Sequence, residues 1–156
     1  MGEFAPALLL GLLVLILVSA GIEDARIREI ANWKNAAIAV LALPWWLAMG
    51  LSPWPDMAIQ LGIAAIVFAA FAAAFHFGMM GGGDVKMIAA LALWFPFGQF
   101  VTLLIIMSLA GGAITLVMLV EKWVRRRSEQ PEIPYGIAIA IAALLTIREP
   151  ILNPFA

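Results

Sequence analysis

Apolar and polar positions in this chain do not alternate but fall into long blocks. From Phe4 to Ile22 every residue but Ser19 is apolar or small. A helix rises about 1.5 Å per residue, so a run of this length reaches across a hydrocarbon core of about 30 Å. The polar stretch "EDARIREIANWKN" follows, and a second apolar span runs from about Ala36 to Leu51 with Pro44, Trp45 and Trp46 inside it. "SPWPD" reads as a short loop. A third helix is expected over about Met57 to Phe77, rich in alanine, as suits close packing where lipid supplies no hydrophobic drive. After a run of glycines, a short fourth helix is expected from about Val85 to Trp94, ended by Phe95, Pro96 and Phe97. A fifth covers about Gln99 to Val120, with small residues at Gly111 and Gly112. Beyond the polar connection "EKWVRRRSEQPEIPYG", the last apolar segment, Ile137 to Ile147, is too short to span alone. It must borrow from Ile133 to Gly136, tilt, or be shielded by protein. The pattern predicts an all-α, polytopic membrane bundle of about six transmembrane helices.

Composition agrees: the 156 residues are 65% hydrophobic and 12% charged, with a mean hydropathy of +1.05, far from a water-soluble domain. No stretch is long or polar enough for a second domain in water, so residues 1–156 are read as one membrane-embedded domain. The first apolar run is longer than a signal-peptide core and is read as a retained transmembrane helix. The net charge of −1 carries no footprint for nucleic acid, and lipid is the expected surrounding. The absence of cysteine excludes disulfides, thiolate zinc sites and cysteine nucleophiles, and the single histidine, His76, excludes a histidine-rich metal site. Neither metal nor cofactor is expected.

The charges set an orientation. With the N-terminus outside, the cytoplasmic loops hold Arg26, Arg28 and Lys34, then Lys86, then Lys122, Arg125, Arg126 and Arg127, and only Arg148 falls on the other side. The positive-inside rule prefers this topology. It puts Asp24, at the end of the first helix, and Asp84, at the start of the fourth, on one face.

Carboxylates at a membrane edge are costly and point to function. Two of them close together do not both ionise readily, so one can act as base on a water while its protonated partner polarises a carbonyl. The glycines at 81 to 83 are expected to permit positive φ and close approach of a substrate or helix. Lys86 and the helix dipole are expected to favour the charged form of Asp84. Glu23 competes with Asp24 for the first acidic position.

These residues resemble a known family. "D-A-R-I-R-E-I-A-N", Asp24 to Asn32, is similar to the aspartate, basic patch and Ile-Pro-Asn ending of type IV prepilin peptidases, with Ala31 where the family usually has proline. "G-G-G-D-V-K", Gly81 to Lys86, resembles their G-x-G-D-x-K motif, and "I-P-Y-G", Ile133 to Gly136, the opening of their last helix. The resemblance implies an intramembrane aspartic endopeptidase that removes the leader of pilin precursors at the cytoplasmic face of the inner membrane. It makes Asp24 and Asp84 the catalytic pair, and Gly81, Gly83, Lys86, Asn32, Pro134 and Gly136 their support. The longer relatives also methylate the new pilin N-terminus and carry a cysteine-bearing insertion. This chain has neither that length nor cysteine, and so looks most like the short peptidases of tight-adherence, Flp-type pili.

Other readings stand beside this one. His76 is expected as a structural donor, and Arg125 to Arg127 as a positive-inside anchor. Trp33, Trp54, Trp94 and Trp123 are expected as interfacial anchors near helix ends. A small proton- or cation-linked transporter or channel subunit would also carry membrane aspartates, although at mid-depth rather than at one edge. A structural subunit of a secretion assembly would tolerate the loss of either. Oligomeric state is not legible in the sequence.

Overall fold

A computed structural model describes residues 4–125 and 135–147. Within them every regular element is helical: α1 (Phe4–Ile27), α2 (Asn32–Ala48), α3 (Ala58–His76), α4 (Gly82–Leu91), α5 (Phe97–Arg125) and α6 (Tyr135–Thr146), with no strand among the described residues. "SPWPD" is not a plain loop but leads into one wide turn, Pro53–Met57, that runs on into α3. Among the described residues, three segments are long and apolar enough to cross a membrane: Phe4–Ile27, Pro53–His76 and Phe97–Val124.

The first helix extends past the apolar run to Ile27, so that Asp24 sits in its last turns rather than in a loop. It ends where Arg28 takes a left-handed conformation, φ 58, while the Arg28 N–H donates to the Asp24 carbonyl at 3.0 Å. A non-glycine residue in that region is held there by its surroundings. The reversal returns the chain along α1 as α2, whose inward face reads Lys34, Asn35, Ile38, Ala42, Trp45 and Trp46 at helical spacing.

Two helices are short. α4 has 10 residues and α6 has 12, or about 15 and 18 Å of helix against a core of about 30 Å. Both are enclosed: α4 packs on α2, α3 and α6, while α6 packs on α1, α5 and α4. The last apolar segment borrows Tyr135 and Gly136 for its first turn and is shielded by protein, with Gly136, Ala138, Ile139, Ala140, Ala142, Ala143 and Thr146 buried.

A helix that stops inside a bilayer exposes carbonyls that lipid cannot satisfy. Those after α4 are met by side chains. The Trp46 indole N–H donates to the Leu93 carbonyl at 2.7 Å, and Gln60 Nε2 donates to the carbonyls of Ala92 and Phe95 at 2.7 and 2.6 Å. The Trp94 indole N–H donates back to the Ile38 carbonyl at 2.8 Å, and its ring stacks on Trp45 with centroids 5.4 Å apart. Each buried group left unpaired would cost about 1–3 kcal/mol. Trp94 is therefore a core residue, 2% exposed, and not the interfacial anchor its place near a helix end suggested. Trp33, Trp54 and Trp123 are exposed as anchors are.

Candidate active site

Both motif aspartates are buried, Asp24 at 5% exposure and Asp84 at 8%. The end of α1 and the start of α4 carry them to the same side chain, Ile30: Gly83, which precedes Asp84, and Gly136, which abuts the Asp24 carboxyl, both lie against it. The third wall is the start of α6. There the Ile137 N–H donates to Asp24 Oδ2 at 3.3 Å, so the carboxylate sits where first-turn amides have no helical partner.

Glycine allows this closeness, though not through backbone conformation. Gly81 has φ −74, Gly82 and Gly83 are already helical, and the positive φ falls earlier, at Gly78 with φ 70. The expectation of left-handed backbone at 81 to 83 is thus corrected: the need is for space. A Cβ on Gly136 would stand 2.9 Å from the Asp24 carboxyl carbon and 2.8 Å from Ile30 Cδ1. One on Gly83 would meet Ile30 Cβ at 3.3 Å, and one on Gly81 would meet Asp84 Oδ2 at 3.0 Å. Ile30 is thereby wedged between the start of α4 and the start of α6, beside both acids.

Lys86 does not serve Asp84. Two residues further along the helix it projects about 200° away, is exposed, and donates to Asn32 Oδ1 at 2.7 Å. That bond joins two motif residues and ties α4 to the start of α2. A second tie runs from Asn35 Nδ2 to the Gly83 carbonyl at 3.2 Å. Beside these residues a largely apolar groove of about 470 Å³ opens between α2, α3 and α4, with Asn32, Asn35 and Lys86 in its lining.

The competitor Glu23 is occupied elsewhere. Its Oε2 pairs with Lys34 Nζ at 2.9 Å and accepts the Ala31 N–H at 3.1 Å. Lys34, counted above as a loop charge, is in fact buried. His76 is exposed at the end of α3 against the edge of Phe77, 5.6 Å between ring centroids. Pro134, Arg126, Arg127 and Arg148 lie outside the described residues. Among the described residues, no group of three or more His, Asp or Glu side chains is placed to hold a metal ion.

The profile of the type IV leader peptidase family matches residues 11–116, about two thirds of the chain. The chain belongs to that family. No curated protein and no solved structure matches it. The stretch matched to the leader peptidases contains both aspartates, Ile30, Asn32 and the glycine run, while α6 and Gly136 lie beyond it. Membership indicates a membrane protease with a prepilin-type substrate. Sequence reasoning used Ile30 only as part of the motif and missed the roles of Lys34 and Asn35, although a lysine and an asparagine opening an apolar run were a signal that they face protein and not lipid.

Proposed function

We propose that the chain is an aspartic endopeptidase that cleaves the leader from type IV pilin precursors of the Flp kind, with Asp24 and Asp84 as its catalytic pair, at the cytoplasmic face of the inner membrane. The observation that supports this reading is that two buried carboxylates, at the end of α1 and the start of α4, are both carried close to one side chain, Ile30, where the short, enclosed helices begin. Like charges at that range repel, so the pair works with one proton between its members. The ionised carboxylate takes a proton from water as the oxygen attacks the scissile carbonyl carbon. The protonated partner hydrogen-bonds the developing oxyanion. Breaking the C–N bond delivers a proton to the leaving amine, giving a leader carboxylate and a new pilin N-terminus.

A side-chain nucleophile is disfavoured among the described residues: there is no cysteine, the Ser108 hydroxyl donates to the Leu104 carbonyl at 2.8 Å, the Ser52–Asp56 pair is exposed in the turn before α3, and Lys34 beside Ser19 is ion-paired with Glu23. The positive-inside bias supports a cytoplasmic site, where water enters from the cytosol and the polar leader stays outside the bilayer while the apolar segment remains in lipid. Placement of both acids at one end of the bundle disfavours a cation pathway through its middle.

Purified protein incubated with a pilin precursor in oxygen-18 water should put one heavy oxygen into the new leader carboxylate, read by mass spectrometry, and chelators should have no effect. A leader peptide trapped covalently on the protein, or chelator inhibition reversed by added metal, defeats this mechanism.

A further inference from the structure

We propose that Glu23, Lys34 and Ser19 form a clasp that positions the catalytic pair by pinning the turn between α1 and α2; the functional part of this inference rests on the peptidase reading above. Lys34 is 5% exposed, and its three ammonium protons have three acceptors: Glu23 Oε2 at 2.9 Å, the Ser19 carbonyl at 3.0 Å and Ser19 Oγ at 2.7 Å. A buried lysine so fully bonded holds its own helix, α2, against the last two turns of α1. Glu23 adds the decisive contact, since the same oxygen that receives Lys34 also accepts the Ala31 N–H at 3.1 Å. Ala31 precedes α2 with no side-chain cap of its own.

The clasp therefore fixes the residue that follows Ile30, and Ile30 is the wedge between the Gly83 and Gly136 backbones. Glu23 also neighbours Asp24 in sequence, so one ion pair sets both the register of Asp24 on α1 and the depth of Ile30. Ala31 has φ −58 and ψ 130, and a φ near −65° is what a pyrrolidine ring imposes. Here an alanine holds that conformation, and its N–H, which proline would lack, is what the clasp grips. The clasp does from outside what a ring at this position would do from within. Glu23 and Lys34 are positioning residues and touch no reacting atom.

The clasp predicts an interaction between substitutions. Removing Glu23 alone strands a buried lysine, so the neutral double variant Glu23→Met/Lys34→Met, which also lacks an acceptor for the Ala31 N–H, is used beside Glu23→Ala and Lys34→Met. Each should lower kcat on precursor by about tenfold or more, as small misplacements near reacting groups do, with KM nearly unchanged. Adding Ala31→Pro to the double variant should restore kcat to within about threefold of Ala31→Pro alone, a coupling that general stabilisation of the bundle would not produce. Amide hydrogen exchange over residues 28–33 should be slow in the wild type and faster in the double variant, whether or not any precursor is cut. Unchanged exchange and kcat in the double variant overturn the clasp, as does a loss of kcat that Ala31→Pro leaves in place while Tm falls. Wild-type protein that cuts no precursor, yet shows the exchange difference, supports the clasp as a structural device and overturns the peptidase reading instead.

Discussion

The long helices α3 and α5 and the short helices α4 and α6 solve the membrane problem in opposite ways. In the spans containing α3 and α5 only 11% of the most apolar window is buried inside the protein, and the rest faces outward. By length and composition each is able to cross a membrane unaided. The short pair could not cross unaided, and their ends would leave backbone groups unpaired. They survive because neighbouring helices enclose them and because Trp46 and Gln60 bond the carbonyls beyond α4. Enclosure also makes room for function: both helices begin at the aspartates, and a carboxylate that no lipid-facing helix could hold is surrounded there by protein. The long helices α3 and α5 supply the wall, while the short ones close around the end of α1 that carries Asp24.

The largest effect expected from breaking this division is at the acids. Asp24→Asn and Asp84→Asn should each reduce precursor cleavage by at least about a thousandfold, and the double substitution should add little, because either loss disables the pair. Substantial turnover by a single variant that inserts normally sinks the assignment.

Next comes crowding of α6 against α1. Gly136→Val puts carbon where Ile30 and the Asp24 carboxyl already lie, and should reduce kcat by about a hundredfold. Wild-type rates in this variant would show that α6 is not part of the site.

Gly83→Val crowds only Ile30, at 3.3 Å from the first added carbon, and should cost about tenfold. Normal cleavage here would reduce the glycine run to a connector.

The smallest effect belongs to the long helices. Gly62 in α3 and Gly112 in α5 have open space where a Cβ would go, so Gly62→Ala and Gly112→Ala should change activity and Tm within error, at most about twofold in rate. A loss at either comparable to that of Gly83→Val would mean that the outward faces of the long helices are engaged in function, and the contrast drawn here would fail.

How much was legible differs between these regions for a physical reason. The long spans could be read directly, since lipid-facing helices must be apolar for their full length, and the fold class followed from that. Asp24 and Asp84 could be read because a carboxylate is out of place in such a chain. The boundaries of α4 were displaced toward the glycines because the helix starts at Gly82 and not after the acid. Trp94 was misplaced because an indole near a helix end serves equally at an interface or against a buried carbonyl, and only the neighbouring Ile38 decides.

By itself the sequence determined an all-helical membrane protein with two acidic motifs and a glycine run, because block hydropathy and isolated charge are local properties of the chain. The tertiary structure alone decided that glycine at 83 and 136 answers a need for space, that Glu23 is committed to Lys34, and that the start of α6 lies against the Asp24 carboxylate. Each depends on which backbone lies within 3 or 4 Å of which side chain, and that distance is set by helices far apart in sequence.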